Sequence, residues 1–267
     1  METSCRPAYA KFATRALLLL ATAVFASVCG LAGAEERGHR APHWSYEGQE
    51  GPTAWSRLSP EYAACGIGKM QSPIDIPSGA ARDSRLDSIE FDYETTPLRI
   101  IDNGHTVQVN FGPGSEIRIG ALRYGLKQLH FHMPSEERID GRRYPMVVHL
   151  VHKNKEGRIA VVAVMLEEGR ENRFFDNVLR FTPFDKGVEK TVLYRPVNAL
   201  NILPVQRSYY TFVGSLTTPP CSEGVNWYAL QHPVQVSRAQ LDAFSRLYHD
   251  NARPTQPLNG RLVRSGG

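Results

Sequence analysis

The segment that most constrains the fold is residues 128–153, QLHFHMPSEERIDGRRYPMVVHLVHK. Two strand-like runs flank Asp140–Gly141, a pair favoured in two-residue hairpin turns. The segment is therefore expected to fold back on itself as an antiparallel hairpin. Side chains alternate between faces along a strand, so His130 and His132 share a face. With Asp140–Gly141 as the turn, counting outward sets His132 opposite His149, and directly opposed Cβ atoms lie roughly 4.5–5.5 Å apart. Three imidazoles then converge on one face of one hairpin. Pro134 can introduce a bulge that shifts this register. His152 points the other way from His149 and reads as part of an ordinary polar face. Three neutral imidazoles with no thiolate make an open zinc site, in which one tetrahedral position is left to water.

The rest of the chain reads in the same style. LRIIDNGHTVQVNF (98–111) is a hairpin pattern around Asn103–Gly104, and SEIRIGALRYGLKQLHFH continues it. RIAVVAVMLEE (158–168) is apolar on both faces and belongs in a sheet interior. Helical signals are few. ENRFFDNVLRF (171–181) is one candidate. SRAQLDAFSRLYHD (237–250) is the stronger one, with Ser237 and Gln240 as a capping box and Leu241, Phe244 and Leu247 or Tyr248 as the apolar stripe. The expected fold is mainly β: a single domain around a large, mostly antiparallel central sheet with a few peripheral helices. No repeat or low-complexity linker divides the chain.

The N-terminus reads as a secretory signal over residues 1–34. Arg6, Lys11 and Arg15 precede an apolar run at 16–28, shorter than the roughly 20 residues of a membrane span, and AGA (32–34) is a small-residue cleavage site. The mature chain, 35–267, is expected to be exported, periplasmic or secreted, with no membrane contact once the signal is cleaved. It retains two cysteines, Cys65 and Cys221. In an exported protein these are most simply one disulfide, with two buried thiols as the alternative. Lys and Arg number 31 against 27 Asp and Glu, so no basic field points to nucleic acid. Nothing in the sequence excludes a homodimer.

From about Trp44 to Arg264 the chain resembles the alpha-class carbonic anhydrases, in particular exported bacterial-type members. The resemblance is carried by QSPIDI (71–76), NGH (103–105), HFH…PSE (130–136), HLVH (149–152), SLTTPPC (215–221), VNWYAL (225–230) and NARPTQPLNGR (251–261). It implies a twisted sheet of about ten strands and one zinc ion per chain. It also implies reversible hydration of carbon dioxide to bicarbonate and a proton by zinc-bound hydroxide.

Residue by residue, the resemblance makes His130, His132 and His149 the zinc ligands. Thr217 matches the threonine that accepts a hydrogen bond from the nucleophile, and Glu136 matches its partner. Val151, Val161, Leu216 and Trp227 match the apolar wall for carbon dioxide. His105 matches the proton shuttle, and its ordinary pKa near 6.5 suits that task. Tyr46, Asn103 and Gln108 match the polar positions that order the intervening water. Gln128 and the Asn251 carbonyl match groups that orient the histidines. Cys65 and Cys221 match a disulfide of exported members, which would hold the segment beside Thr217.

The chain departs from the family pattern at two positions. Many members carry histidine where this chain has Glu137, and glutamate where it has Val147. The expectation is that Glu137 supplies from the other strand the carboxylate that position 147 lacks. Two further functions compete with carbon dioxide hydration. A non-catalytic binding module of the same fold is the alternative, although lookalikes of that type lose one or more of the three histidines. The other is a zinc hydrolase acting on esters, and weak esterase activity is in any case expected as a side reaction of the same site.

Overall fold

The computed structural model describes residues 42–266, so the leader read at 1–34 and its cleavage point lie outside the described residues. Among the described residues, sixteen strands and four short α-helices follow in order. The N-terminal part carries α1 (Trp55–Leu58), α2 (Ala64–Ile67), β1 (Asp75–Ile76), β2 (Arg82–Asp83) and β3 (Ile89–Asp92). Next come β4 (Thr96–Asp102), β5 (Val107–Asn110), β6 (Glu116–Ile119), β7 (Leu122–His132), β8 (Arg138–Ile139), β9 (Arg142–Arg143), β10 (Met146–Lys153) and β11 (Ile159–Glu168). The remainder is α3 (Arg173–Phe181), β12 (Lys190–Val197), β13 (Tyr209–Ser215), β14 (Glu223–Leu230), β15 (Val234–Val236), α4 (Arg238–Ser245) and β16 (Arg264–Gly266).

Thirteen strands form one sheet, whose main path of ten runs β12-β4-β5-β7-β10-β11-β14-β13-β16-β2. Pairing is antiparallel through most of the path and parallel where β11 meets β14 and β15 and where β16 meets β2. β10 and β11 sit at the centre, which explains their near-continuous apolar sequence: both faces are covered. One face carries a cluster including Leu129, Phe131, Val148, Leu150 and Val162, closed by Phe175 of α3 and Phe244 of α4. The other carries a smaller cluster including Ile74, Val147, Val161 and Trp227. The histidine face is this second one.

The capping box of α4 is present, with Ser237 Oγ accepting from Gln240 N and Gln240 Oε1 accepting from Ser237 N. The helix ends at Ser245, before Leu247 and Tyr248, so the sequence reading overran its C-terminal end. The 98–111 hairpin also differs in detail. Asp102 pairs with Val107, leaving the four residues 103–106 as the loop. Asn103 Oδ1 accepts the backbone N–H groups of His105 and Thr106, which closes that wider loop from within.

The register around Asp140–Gly141 needs a correction. The turn exists: Arg138 pairs with Arg143, and Ile139 with Arg142. On the main sheet, however, His130 pairs with His149 and His132 with Val147. Residues 133–137 on one side face only 144–146 on the other, so the register moves by two. An even shift preserves facing, and all three histidines remain on one face.

Candidate metal centre

The sheet places the site residues in two adjacent rows. The first runs across five strands as Gln108, His130, His149, Ala163 and Ala229. The second runs as Asn110, Gln128, Val151, Val161 and Trp227. His132, two residues beyond His130 on the same face, completes a cluster whose three candidate ligand nitrogens all lie within 4.8 Å of one another. Among the described residues this is the group of histidine, cysteine or carboxylate side chains with metal-binding geometry.

Each ring is held by its other nitrogen. His130 Nδ1–H donates to Gln128 Oε1 at 2.8 Å, and His132 Nδ1–H donates to the Asn251 carbonyl at 2.7 Å. His149 Nε2–H donates to Glu137 Oε2 at 3.0 Å. Those bonds leave Nε2 of His130, Nε2 of His132 and Nδ1 of His149 for a ligand. Burial pushes His130 down to about 3 and His132 well below its ordinary value, with the neighbouring imidazoles adding to both shifts. Burial acts in the same sense on His149, but the Glu137 carboxylate overrides it and raises that group.

This donor set fits zinc. His132 Nε2 is fully buried yet has no hydrogen-bond partner, a costly state for a ring nitrogen unless a cation occupies the space beside it. Three neutral imidazoles with engaged outer nitrogens are the arrangement of a catalytic rather than a closed structural zinc site.

Glu136 lies beside the cluster, with Oε2 3.5 Å from His132 Nε2. Its Oε1 accepts the Arg253 backbone N–H at 2.8 Å, its Oε2 is buried without a hydrogen-bond partner, and the Thr217 side chain is near enough to lower its pKa. Burial, with the neighbouring Glu137 carboxylate, pushes Glu136 up to about 7, opposed first by His149 and then by the Arg253 N–H and the Thr217 side chain. A dication among the imidazoles would favour its ionised form. Thr217 sits in a loop closed by Leu216 N donating to the Ser222 carbonyl and by the Cys65–Cys221 disulfide.

Val161 and Trp227 belong to the buried apolar cluster on the histidine face, and Val151 and Leu216 pack against that cluster. The Trp227 ring centroid is 5.0 Å from that of His149, which puts this apolar cluster beside the histidines. Gly214 permits the approach: a Cβ there would lie 2.9 Å from the Trp227 ring and 2.1 Å from Ser72 Oγ.

His105 stands apart from the cluster, half-buried and stacked on Trp44. It lines a cavity of about 430 Å³ with His43, Trp44, Tyr46, Tyr248 and Asn251. Tyr46 reaches toward the histidine cluster, with its ring centroid 6.5 Å from that of His132. Asn103 Nδ2 donates to Gln108 Oε1 at 3.2 Å, so these two polar positions join each other between His105 and His130.

Three structural features were not read from the sequence. His152 does face away from His149, but it is fully buried rather than solvated, with its Nε2 2.7 Å from the Tyr93 hydroxyl. Arg253, only 1% exposed, donates through its guanidinium to Gln71 Oε1 and to the carbonyls of Ser72 and Cys65. It thereby ties Glu136 to the disulfide. Its place inside NARPTQPLNGR was the available signal. The third is the flat stacking of Trp44 against His105, for which the sequence offers no spacing cue.

Residues 50–266 match the family described as eukaryotic-type carbonic anhydrase. The carbonic anhydrase of Klebsiella pneumoniae is 45% identical over 227 residues, 84% of this chain and 91% of that protein. The carbonic anhydrase of a Nostoc strain is 42% identical over 224 residues, 83% of this chain and 85% of that protein. Among solved structures, the alpha-carbonic anhydrase of Thermovibrio ammonificans, in complex with the inhibitor sulfanilamide, superposes with a TM-score of 0.81 at 42% identity. That match covers 84% of this chain and 100% of the other.

Proposed function

The chain belongs to the eukaryotic-type, or alpha, carbonic anhydrase family, and on that premise we propose that it hydrates carbon dioxide reversibly with one zinc ion held by His130, His132 and His149. The observation that carries the reading is the convergence of three imidazole nitrogens within 4.8 Å, each ring anchored by its outer nitrogen. Zinc held there lowers the pKa of a coordinated water to about 7 and so supplies a nucleophile at neutral pH.

The chain's own residues do the rest. Glu136 accepts the Thr217 hydroxyl proton in a hydrogen bond, which turns the Thr217 oxygen lone pairs toward the reacting water. A water fixed by one acceptor has a defined direction of attack, and orientation of that kind lowers the barrier. Val151, Val161, Leu216 and Trp227 offer an apolar surface beside the cluster, which suits carbon dioxide and gives a larger polar ester little to bind. Hydration releases a proton, and His105 at the mouth can take it and pass it to buffer. The disulfide fits an exported protein.

The test is stopped-flow carbon dioxide hydration by the purified chain before and after chelation. The expected result is hydration that is lost with zinc, restored by zinc and blocked by sulfanilamide. No zinc-dependent rate above background would overturn the reading and favour a binding module on the same fold.

A further inference from the structure

Two consecutive carboxylates, Glu136 and Glu137, are both buried beside the histidines, and only the first has a task in the reaction above. We propose that Glu137 is a positioning residue: the loop after β7, rather than β10 itself, supplies the acceptor that decides which nitrogen His149 turns toward the metal. The inference rests on the reading of the three histidines as the zinc site.

The argument starts from β10. Val147 and His149 share a face, and the near neighbour of the His149 ring along its own strand is therefore a valine. Val147 is fully buried in the apolar cluster with Ile74, Ile76 and Val161 and offers no acceptor. An imidazole with no outer partner can present either nitrogen to the site. Here Nε2 is claimed by Glu137 Oε2 at 3.0 Å, and Nδ1 is left for the metal.

The two-residue register shift makes this reach achievable. It places both glutamates in the irregular turn between His132 and Arg138, where neither has to follow strand alternation. Glu136 meets the Arg253 N–H, and Glu137 meets His149. Ser135 fixes the turn: its Oγ donates to the Glu137 carbonyl at 2.8 Å and accepts the Tyr144 N–H at 2.9 Å. A carboxylate hydrogen-bonded to a ligating imidazole also strengthens the imidazole as a donor.

The experiment compares zinc release from the zinc-loaded chain into excess dipicolinate, read with a zinc-sensitive dye. Variants are Glu137→Gln, Glu137→Ala and Glu137→Ala with Val147→Glu, and circular dichroism of each metal-free form monitors the fold. Removing an outer partner of a metal ligand typically costs 10- to 100-fold in affinity or activity. Release should therefore be at least about 10-fold faster in both single variants. A glutamate at 147 lies on the His149 face, so the double variant should release zinc more slowly than Glu137→Ala. A folded double variant no slower than Glu137→Ala overturns the inference, since a carboxylate on the His149 face of β10 would then not substitute for the one from the loop. If the double variant does not fold, Glu137→Gln alone decides: release within about twofold of wild type overturns the inference. A wild-type chain that takes up no zinc overturns the zinc-site reading instead.

Discussion

The imidazole of His105 lies flat on the indole of Trp44, with centroids 3.7 Å apart and planes 5° from parallel. Stacking buries part of the ring, and burial is the main cause that lowers its pKa below 6.5, helped by the charges of His43 and Lys186. A shuttle in the hydration direction must start unprotonated. A lowered pKa keeps it so further into acid, so kcat should rise with pH through an inflection below 6.5. Trp44→Ala uncovers the ring and should move that inflection upward. His105→Ala should reduce kcat about 100-fold in dilute buffer, leave kcat/KM near wild type and be rescued by added imidazole. An unchanged kcat would remove His105 from the proton path.

In the proposed reaction Thr217 acts through one hydrogen bond on each side, to Glu136 and to the reacting water. A hydrogen bond to a charged partner is worth about 1.5–3 kcal/mol, or roughly a 10- to 150-fold change in rate when it matters only in the transition state. Thr217→Ala should lower kcat/KM by about 100-fold on that scale while zinc content stays at one per chain. Thr217→Ser keeps the hydroxyl and should retain most activity. Equal losses in both variants, measured by stopped flow, would mean that the methyl group rather than the hydroxyl matters.

Much of this site was legible in the sequence because alternation is a strict rule. Facing depends on whether the register count is odd or even, and the two extra residues at 136–137 change the pairing of His149 without changing its face. The partner itself was misread because turn chemistry fixes register only near the turn, and the strands part at Pro134. The four-residue loop at 103–106 was hidden by a tempting Asn-Gly pair, whose side chain in fact closes a wider turn. The ordinary polar face expected for His152 failed for a different reason. Alternation names a face but not what covers it, and here Tyr93, from the turn after β3, closes over the ring.

His152 carries a stability consequence of its own. Burial pushes its pKa down to about 3, only partly offset by the Ala160 and Leu150 carbonyls. The unfolded chain takes up this proton near 6.5 and the folded chain only near 3. Stability is therefore complete above 6.5 and falls as the pH drops between those values, with a slope of up to about 1.4 kcal/mol per pH unit. His152→Gln removes the titration. Its unfolding free energy, measured by urea denaturation between pH 6 and 4, should depend on pH less steeply than wild type by about 1 kcal/mol per unit. Parallel slopes would show that other groups govern acid unfolding.

The disulfide joins residues 156 apart. Closing a loop of that length is worth about 5 kcal/mol in the chain-entropy model. For a domain of this size that corresponds to a fall in Tm of roughly 10–20 °C when Cys65 and Cys221 are both replaced by serine. Stability is only half of the expectation. The Cys221 N–H donates to the Thr218 carbonyl, its own carbonyl accepts from Gln71, and Arg253 bonds both Gln71 and the Cys65 carbonyl while its backbone N–H holds Glu136. Both Glu136 and the loop that carries Thr217 thus lean on this crosslink. Small displacements of positioning groups are costly in catalysis, so kcat of the folded double variant at 25 °C should fall several-fold. Circular dichroism must show that the protein is folded under the assay conditions. An unchanged kcat alongside the lower Tm would confine the disulfide to stabilising the chain.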